Sequence, residues 1–186
     1  LICQLDAWVF KDELEYWCKA GYDYIGAPWF DGFQSANESS EVTGVGNGGF
    51  SLRNVNSSIR LQNRIIFLKK LRMFWFKSHL QALWRFPNMI LYLKKWFHVS
   101  SIVKLNFLLL EYPLNEDAYW AEIVAETFTD YQVAELEDSI KFSFEVNPRL
   151  LYKRNNNTLP FGCHGWEKYD PTFWSTFIQN KNPQNI

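Results

Sequence analysis

The sequence predicts an α/β protein with a basic helical insertion at residues 55–110, and three observations lead to this class. Strand-like and helix-like patterns alternate over the first 53 residues, as they do in α/β domains. A glycine-dense turn, GVGNGG at residues 44–49, leads directly into another apolar strand. The 69 positions from 42 to 110 contain no Asp or Glu, although the whole chain has a net charge of only −1.

The elements before the insertion follow one another closely. Residues 1–10, LICQLDAWVF, are apolar enough for one strand, and the segment KDELEYWCKAG predicts a short helix that ends at Gly21. The segment YDYIGAPW, residues 22–29, predicts the next strand, which Pro28 ends. Residues 31–44 are polar and predict a loop, and residues 49–53 predict the strand after the glycine-dense turn.

Helices dominate the insertion and the segment that follows it. Apolar residues recur at helical spacing over residues 57–77, and a second helix is predicted at residues 87–97, where a proline suits the first turn. A further helix is predicted at residues 115–128. The alternating segment IKFSFEV, residues 140–146, predicts a strand, and NNNTLPFGCHGW, residues 155–166, predicts a loop.

Composition excludes several classes of protein. With 47% apolar and 18% aromatic residues in 186 positions, the chain is not disordered and has enough residues for one domain with a core. Its three cysteines are far apart and show no zinc-binding spacing, which indicates a reducing compartment. No signal peptide or membrane-spanning run is recognisable, so a cytoplasmic location is expected. Because the chain begins directly with a strand, we expect it to be a fragment of a longer protein.

The acid-free stretch is strongly basic and interspersed with aromatic residues, a composition typical of helices that lie on membrane surfaces. We therefore expect either an anionic partner, such as a membrane surface or a lipid-linked pyrophosphate, or a solvated basic face. Nucleic acid is a less favoured partner, because no nucleic-acid-binding module is recognisable. The stretch contains eleven basic residues: Arg53, Arg60, Arg64, Lys69, Lys70, Arg72, Lys77, Arg85, Lys94, Lys95 and Lys104.

Three motifs contain candidate site residues, each with a structural alternative. Asp6 lies near a strand end among apolar residues, where it either binds a divalent cation or forms a cap or salt bridge. The loop Gly46–Gly49 either faces a ligand or forms a tight turn. His164 lies between two glycines and either contacts a ligand or phosphate or is structural. Trp166 either stacks on a sugar or base or fills the core.

The segment LNEDAYWAEI contains a fourth candidate site. Asn115 is a suitable N-cap, and acids in the first turn of a helix are stabilised by the helix dipole. Glu116 or Asp117 is equally suited to act as a general base, because that role needs a carboxylate held rigidly at the rim of a pocket.

Six motifs in order, QLDAWVF, YDYIGAPW, VGNGGFSLR, NEDAYW, KFSFE and PFGCHGW, resemble a family of mostly bacterial domains of unknown function that is similar to GT-A glycosyltransferases. The resemblance covers most of the chain outside the insertion. It implies a GT-A-like fold and the transfer of a sugar, such as a hexose, from a nucleotide-sugar donor to a glycan or lipid-linked acceptor. It also implies a divalent metal, Mn²⁺ or Mg²⁺, at the diphosphate.

The resemblance further implies roles for individual residues. The Asp-x-Asp metal motif of GT-A enzymes corresponds here to Gln4-Leu5-Asp6, so its first acid is replaced. Asp6 and His164 are implied as metal ligands, and we expect them in the same cleft. The loop Gly46, Asn47, Gly48 and Gly49 is implied to line the donor or acceptor sugar.

Asp117 is implied as the general base, and Glu116 as a group that contacts a sugar hydroxyl or orients the loop; the two roles are exchangeable. Because the nucleotide-binding half of GT-A enzymes precedes the metal motif, residues 1–186 are expected to form one GT-A-like domain that lacks this part. Two alternatives remain open. One is a non-catalytic carbohydrate-binding or scaffold domain of the same fold, and the other is a peripheral membrane-binding module, expected on the inner face of the membrane.

Overall fold

The computed structural model describes residues 1–37, 39–77 and 115–178, together with Lys95, Leu105, Leu108 and Leu109. It is a mixed α/β structure of small sheets and helices, as the sequence predicts. The chain divides into two compact units. The first unit comprises Leu1–Arg53 and Ala134–Ile186, and the second comprises Asn54–Val133.

Three small sheets form the framework of the first unit. The strands are β1 Ile2–Cys3, β2 Ala7–Val9, β3 Tyr24–Gly26, β4 Pro28–Phe30, β5 Val42–Val45, β6 Phe50–Arg53, β7 Ser143–Phe144 and β8 Gly162–His164. In one sheet β6 lies between β1 and β3 and is antiparallel to both. In another, β8 lies between β2, which is antiparallel to it, and β7, which is parallel. The third sheet is the antiparallel pair β4 and β5.

Helices occur in both units. In the first unit they are α1 Leu14–Lys19, a 3₁₀ turn Phe33–Ser35, α5 Leu136–Phe142, α6 Pro148–Arg154 and α7 Pro171–Ile178. In the second unit they are α2 Val55–Lys77, α3 Glu116–Ala118, a π-helix Tyr119–Val124 and α4 Ala125–Thr127. The helix predicted at residues 87–97 lies outside the described residues except for Lys95, and the second unit extends past the predicted insertion to include α3 and α4.

The single strand predicted for residues 1–10 is wrong, because the chain changes sheets within it. β1 pairs with β6, whereas β2 pairs with β8. Residues 4–6 form the turn between them, and the Ala7 N–H donates to the Gln4 carbonyl at 3.0 Å. This turn, and not a continuous strand, holds Gln4 and Asp6.

The strand predicted for residues 140–146 is also mostly wrong. Residues up to Phe142 belong to α5, and only Ser143–Phe144 form a strand. The preceding residues explain the difference: Glu137 and Asp138 lie in the first turn and Lys141 in the last, which suits the helix dipole. Alternation over a few residues therefore did not override the helical signal that begins upstream.

Two aromatic clusters form the core of the first unit. In one, the rings of Phe50, Phe142 and Phe161 lie within 5.4–5.5 Å of one another, and Trp17 packs edge-to-face on Phe142. The other cluster is built around the fully buried Trp174 and includes β4, β7, α6 and the buried Cys163 of β8. Strands that carry the candidate site residues are therefore fixed on their inner side by ring packing.

An arginine–aspartate pair joins two segments within the second unit. Arg64 of α2 donates two hydrogen bonds to Asp130, at 2.9 and 3.0 Å, and its guanidinium lies over the ring of Phe128. Burial opposes ionisation of Asp130, but the Arg64 hydrogen bonds and the charges of Arg64 and Arg60 outweigh it, so the pKa of Asp130 lies below its usual value.

We expect Asp130→Asn to destabilise the protein near pH 7 by about 1 kcal/mol, because a bidentate, partly buried pair is lost. A lowered folded-state pKa contributes stability in full above the unfolded-state value of about 3.9, and this contribution disappears as the pH falls through the folded-state pKa. Urea unfolding of both proteins should therefore differ at pH 7 and converge at about pH 2. A constant difference across this range would contradict the assignment.

Candidate functional site

Gln4, Asp6, Glu145 and His164 converge at one end of the β2–β8 pair. Ala7 lies opposite His164 in the antiparallel register. The Gly165 N–H donates to the Asp6 carbonyl at 3.0 Å, which fixes the turn of residues 4–6 beside the end of β8. The structure thus brings Asp6 and His164 together, and their role as metal ligands stays a prediction.

The imidazole of His164 lies between oxygen atoms on both sides. Its Nδ1 is 2.9 Å from Glu145 Oε1, and its Nε2 is 2.8 Å from Gln4 Oε1 and 3.2 Å from Asp6 Oδ1. The Glu145 side chain is 7% exposed and Asp6 is 43% exposed, so the ring has a buried acid behind it and an accessible acid in front. Burial alone would lower the pKa of His164, but the hydrogen bond and charge of Glu145, together with Asp6, raise it.

Glu145 was not among the candidate residues identified from the sequence, although a signal for it exists. It lies between Phe144 and Val146 in an apolar segment, where a carboxylate is costly unless it has a partner. The structure supplies that partner as His164. An acid in a buried stretch near a histidine-bearing loop is therefore a usable signal for such a pair.

Gly49 provides the space in which the His164 ring lies. A Cβ atom built on Gly49 would overlap three atoms of the imidazole ring. The Gln4 N–H donates to the Gly49 carbonyl at 3.0 Å, so the same residue also positions the turn that holds Gln4 and Asp6. The resemblance implies that Gly49 contacts a ligand. In the structure, the space that a Gly49 side chain would occupy is instead filled by the His164 ring.

The rest of the glycine-dense loop is held by internal hydrogen bonds. Asn47 is buried, and its Oδ1 accepts the Gly49 N–H at 3.0 Å. The Gly46 carbonyl accepts the Tyr24 hydroxyl at 2.7 Å, and Gly46 has a positive φ of 119°. Gly48 is half-buried, and its carbonyl accepts the Ser51 hydroxyl. The loop is therefore held by hydrogen bonds within the first unit, and sugar contact by these residues stays a prediction.

Trp166 packs against the Trp174 cluster and is half-buried. Its ring contacts Trp8 edge-to-face, with centroids 6.4 Å apart. Packing on the core is therefore one role of Trp166, and stacking on a sugar or base stays a prediction.

The donor atoms in front of His164 fit a divalent cation. In the structure Nε2 hydrogen-bonds to Gln4 Oε1 and lies beside Asp6 Oδ1, and a cation that displaced the Nε2 proton would meet the same two oxygens. Neighbouring ligands of a small six-coordinate cation lie about 3 Å apart, which is close to the 2.8 and 3.2 Å separations here. A carboxylate behind a metal-binding histidine is the usual way in which its ring is oriented.

Among the described residues, no group of three or more His, Cys, Asp or Glu side chains is arranged to hold a metal ion. The third oxygen or nitrogen atom here is the amide oxygen of Gln4, which the resemblance aligns with the first acid of the Asp-x-Asp motif. Replacement of that acid removes one negative charge and keeps an oxygen donor, so we expect weaker cation binding than an Asp-x-Asp site gives.

Glu116 and Asp117 lie in the second unit and have different environments. Asp117 is half-buried, and its Oδ1 accepts the Ala118 N–H at 2.8 Å. Glu116 is exposed and lines a cavity of about 410 Å³ with residues of α2 and the π-helix, among them Lys69, Tyr119 and Trp120. Glu116, but not Asp117, therefore lines this cavity.

The π-helix that follows these acids was not predicted from the sequence. Residues Tyr119–Val124 form it, and π-helical turns occur frequently at functional sites. Burial raises the pKa of Tyr119. Burial, and then the charges of Glu126 and Asp117, raise the pKa of Glu122.

No helix among the described residues is both long and apolar enough to traverse a lipid bilayer.

Comparison with known proteins identifies one family. Residues 1–164 match the model of a family described as "Protein of unknown function (DUF5672)". Neither the curated proteins nor the solved structures give a match. The matched range contains Gln4, Asp6, Glu145 and His164, as well as the acidic segment that begins at Glu116. Because the match covers most of its length, the chain belongs to the DUF5672 family of proteins of unknown function.

Proposed function

We propose that the protein is a glycosyltransferase that moves a sugar from a nucleotide-sugar donor to a glycan or lipid-linked acceptor. The observation that carries the proposal is the convergence of Gln4, Asp6 and His164 in front of the buried Glu145. The motif resemblance supplies the reaction class, and the donor atoms supply a place for the diphosphate's cation.

Gln4, Asp6 and His164 would hold a divalent cation, Mn²⁺ or Mg²⁺, which when bound neutralises the diphosphate of the leaving nucleotide. Glu145 would keep the Nδ1 proton of His164 on its own side, so that Nε2 is the nitrogen available to a cation beside Gln4 and Asp6. Gly49 allows the ring to lie against the backbone, and the hydrogen bonds to Glu145 and Gln4 orient it.

In the same proposal, Asp117 accepts the proton of the acceptor hydroxyl, and Glu116 hydrogen-bonds to the acceptor. The Ala118 N–H fixes one oxygen of Asp117, which leaves the carboxylate oriented by the first turn of a helix. Rigid mounting of the carboxylate is one of the features that a general base needs.

Cation binding tests the site directly. We expect Mn²⁺ to bind the natural protein in calorimetric titration, and Asp6→Asn or His164→Ala to abolish binding. Glu145→Gln should weaken binding about 10- to 100-fold, because the residue acts only through the orientation of His164. Asp12→Asn, which changes an exposed acid away from the cluster, is the matched control. Equal binding by all four variants, or none by the natural protein, contradicts the metal site.

Transfer chemistry needs a separate assay. Release of nucleoside diphosphate from UDP-glucose, UDP-galactose, UDP-N-acetylglucosamine and GDP-mannose should be measured with and without Mn²⁺. Turnover of at least one donor is expected from the glycosyltransferase proposal. Saccharide binding without turnover of any donor would favour the non-catalytic carbohydrate-binding alternative.

A second candidate function, binding to an anionic membrane surface, is favoured by the exposed face of α2. Ile59, Phe67 and Met73 are each more than half exposed, and the exposed Lys69 and Lys70 lie among them. Apolar groups next to lysines suit an interface of acyl chains and anionic headgroups.

We expect the protein to co-sediment with phosphatidylserine-containing vesicles and not with phosphatidylcholine vesicles. Changing Lys69, Lys70 and Arg72 together to Gln should weaken binding about 100-fold, since each cation near such a surface contributes about 1 kcal/mol. The matched control is Lys153→Gln with Arg154→Gln, an exposed basic pair of α6. Equal losses in both variants would indicate a net-charge effect and would remove the case for α2.

A further inference from the structure

Besides the cavity of the second unit, a cavity lies in the first unit. It is found at the end of the β2–β8 pair that is opposite to His164. It has a volume of about 480 Å³, within the range of about 300–1,000 Å³ typical of small-molecule sites. Lys11, which follows β2, and Thr158, which precedes β8, both line it. Because the strands are antiparallel, these residues lie beyond the end opposite to the one that holds Asp6 and His164.

Aromatic side chains form one part of this cavity. Tyr16 is 61% exposed, and its ring packs edge-to-face on Trp17, with centroids 5.0 Å apart. Trp17 is 3% exposed, and its indole nitrogen has no hydrogen-bond partner in the described part of the chain. The exposed Tyr16 ring is available for a stacked ligand, and the buried Trp17 indole against which it packs lies close enough to sense such a ligand.

Polar groups form the rest of the wall. Asn155 and Asn156 end α6 in a turn, in which Asn155 Nδ2 donates to the Thr158 carbonyl at 2.8 Å and Asn156 has a φ of 52°. The turn is held by its own hydrogen bonds, and the Asn156 side chain is exposed on it. Amides offer both donors and acceptors, which is what a polyhydroxylated ligand requires.

Each lysine that lines the cavity is already paired with a carboxylate of the protein. Lys11 Nζ is 3.7 Å from Glu13 Oε1, and Lys141 Nζ is 2.8 Å from Asp138 Oδ1. An anion would compete with these carboxylates for both lysines, whereas a neutral ligand keeps the pairs and uses their remaining hydrogen-bonding capacity.

We propose that this cavity is a second, non-catalytic binding site for a neutral saccharide. One sugar ring stacks on Tyr16, and its hydroxyl groups bond to Asn156 and the paired lysines. The site goes beyond the proposed function, because it requires no transfer chemistry and uses none of the residues around His164. Its role is to retain a glycan chain on the protein.

The experiment is an NMR titration of the indole N–H signals with maltotriose, cellotriose and N,N′-diacetylchitobiose, with inorganic phosphate and UMP as anionic probes. At least one neutral saccharide should shift the Trp17 signal, assigned with Trp17→Phe, in a saturable way. Tyr16→Ala should weaken this binding at least tenfold, whereas Tyr16→Phe should retain it. Asn156→Gly, which keeps the left-handed backbone, should weaken it severalfold.

His164→Ala separates this inference from the proposed function, since the saccharide titration should be unchanged in that variant. The inference is overturned if no neutral saccharide binds, if Tyr16→Ala binds as well as the natural protein, or if only phosphate and UMP shift the Trp17 signal. Melting curves of the Tyr16 and Asn156 variants establish that each is folded.

Discussion

Replacing Gly49 with alanine will destabilise the first unit by about 1–3 kcal/mol and displace the His164 ring, because the new methyl group would overlap the imidazole. Mn²⁺ binding at the candidate site should be lost in the same variant. Denaturant unfolding and calorimetric titration measure the two effects.

A double-mutant cycle distinguishes this collision from general backbone strain. His164→Ala removes the ring, so Gly49→Ala should cost much less in that background. Gly21→Ala is the matched control: Gly21 has a φ of 86° but no atom within 4 Å of its built Cβ, so its cost of about 1–2 kcal/mol is independent of His164. Additive effects of Gly49→Ala and His164→Ala would disprove the packing of ring against backbone.

Asp117→Asn should lower kcat for sugar transfer by roughly 10²–10⁴-fold, because it preserves the shape of the side chain and removes the proposed base. Glu116→Gln should mainly raise KM for the acceptor, since it changes a group that lines the cavity of the second unit without removing a proton acceptor from the reaction. Steady-state kinetics with a donor that turns over provides both parameters.

The comparison of the two variants decides between the roles. A large kcat loss in Glu116→Gln with a normal Asp117→Asn would exchange the two assignments. Normal turnover in both would leave the acidic segment as the start of a helix, stabilised by the dipole. Circular dichroism on both variants shows whether the helix itself is retained.

Local pattern predicted the parts of the fold that local chemistry determines. The α2 helix, the strand at Phe50–Arg53 and the helix that begins at Glu116 were predicted from apolar spacing and capping residues, and the structure has them. The turn at residues 4–6 was not predicted, because the break in the first strand depends on which distant strands its two halves pair with. Residues 140–142 were likewise mispredicted, because they are helical only as the continuation of α5, which begins upstream at Leu136.

The sequence predicted only part of the candidate site, because the rest of the site also depends on contacts between residues distant in sequence. Asp6 and His164 were identified separately, and only the family resemblance implied that they lie together. Glu145 and Gly49 act on His164 through contacts that join residues distant in sequence, so neither role is visible in a local motif. The glycines at residues 44–49 suggested close approach of a ligand, whereas at Gly49 the closely approaching group is a side chain of the same chain.

The location of the three cysteines makes the first unit suited to selective chemical labelling. Burial raises the pKa of the Cys163 thiol above its usual value, so this group stays protonated and unreactive in the core beside His164. Cys3 and Cys18 are exposed. Cys3 precedes Gln4 at the candidate cation site, and Cys18 follows Trp17 at the cavity of the first unit. With the other exposed cysteine changed to Ser, a fluorophore on Cys3 or on Cys18 would therefore report on one of the two sites, and the buried Cys163 would stay unlabelled.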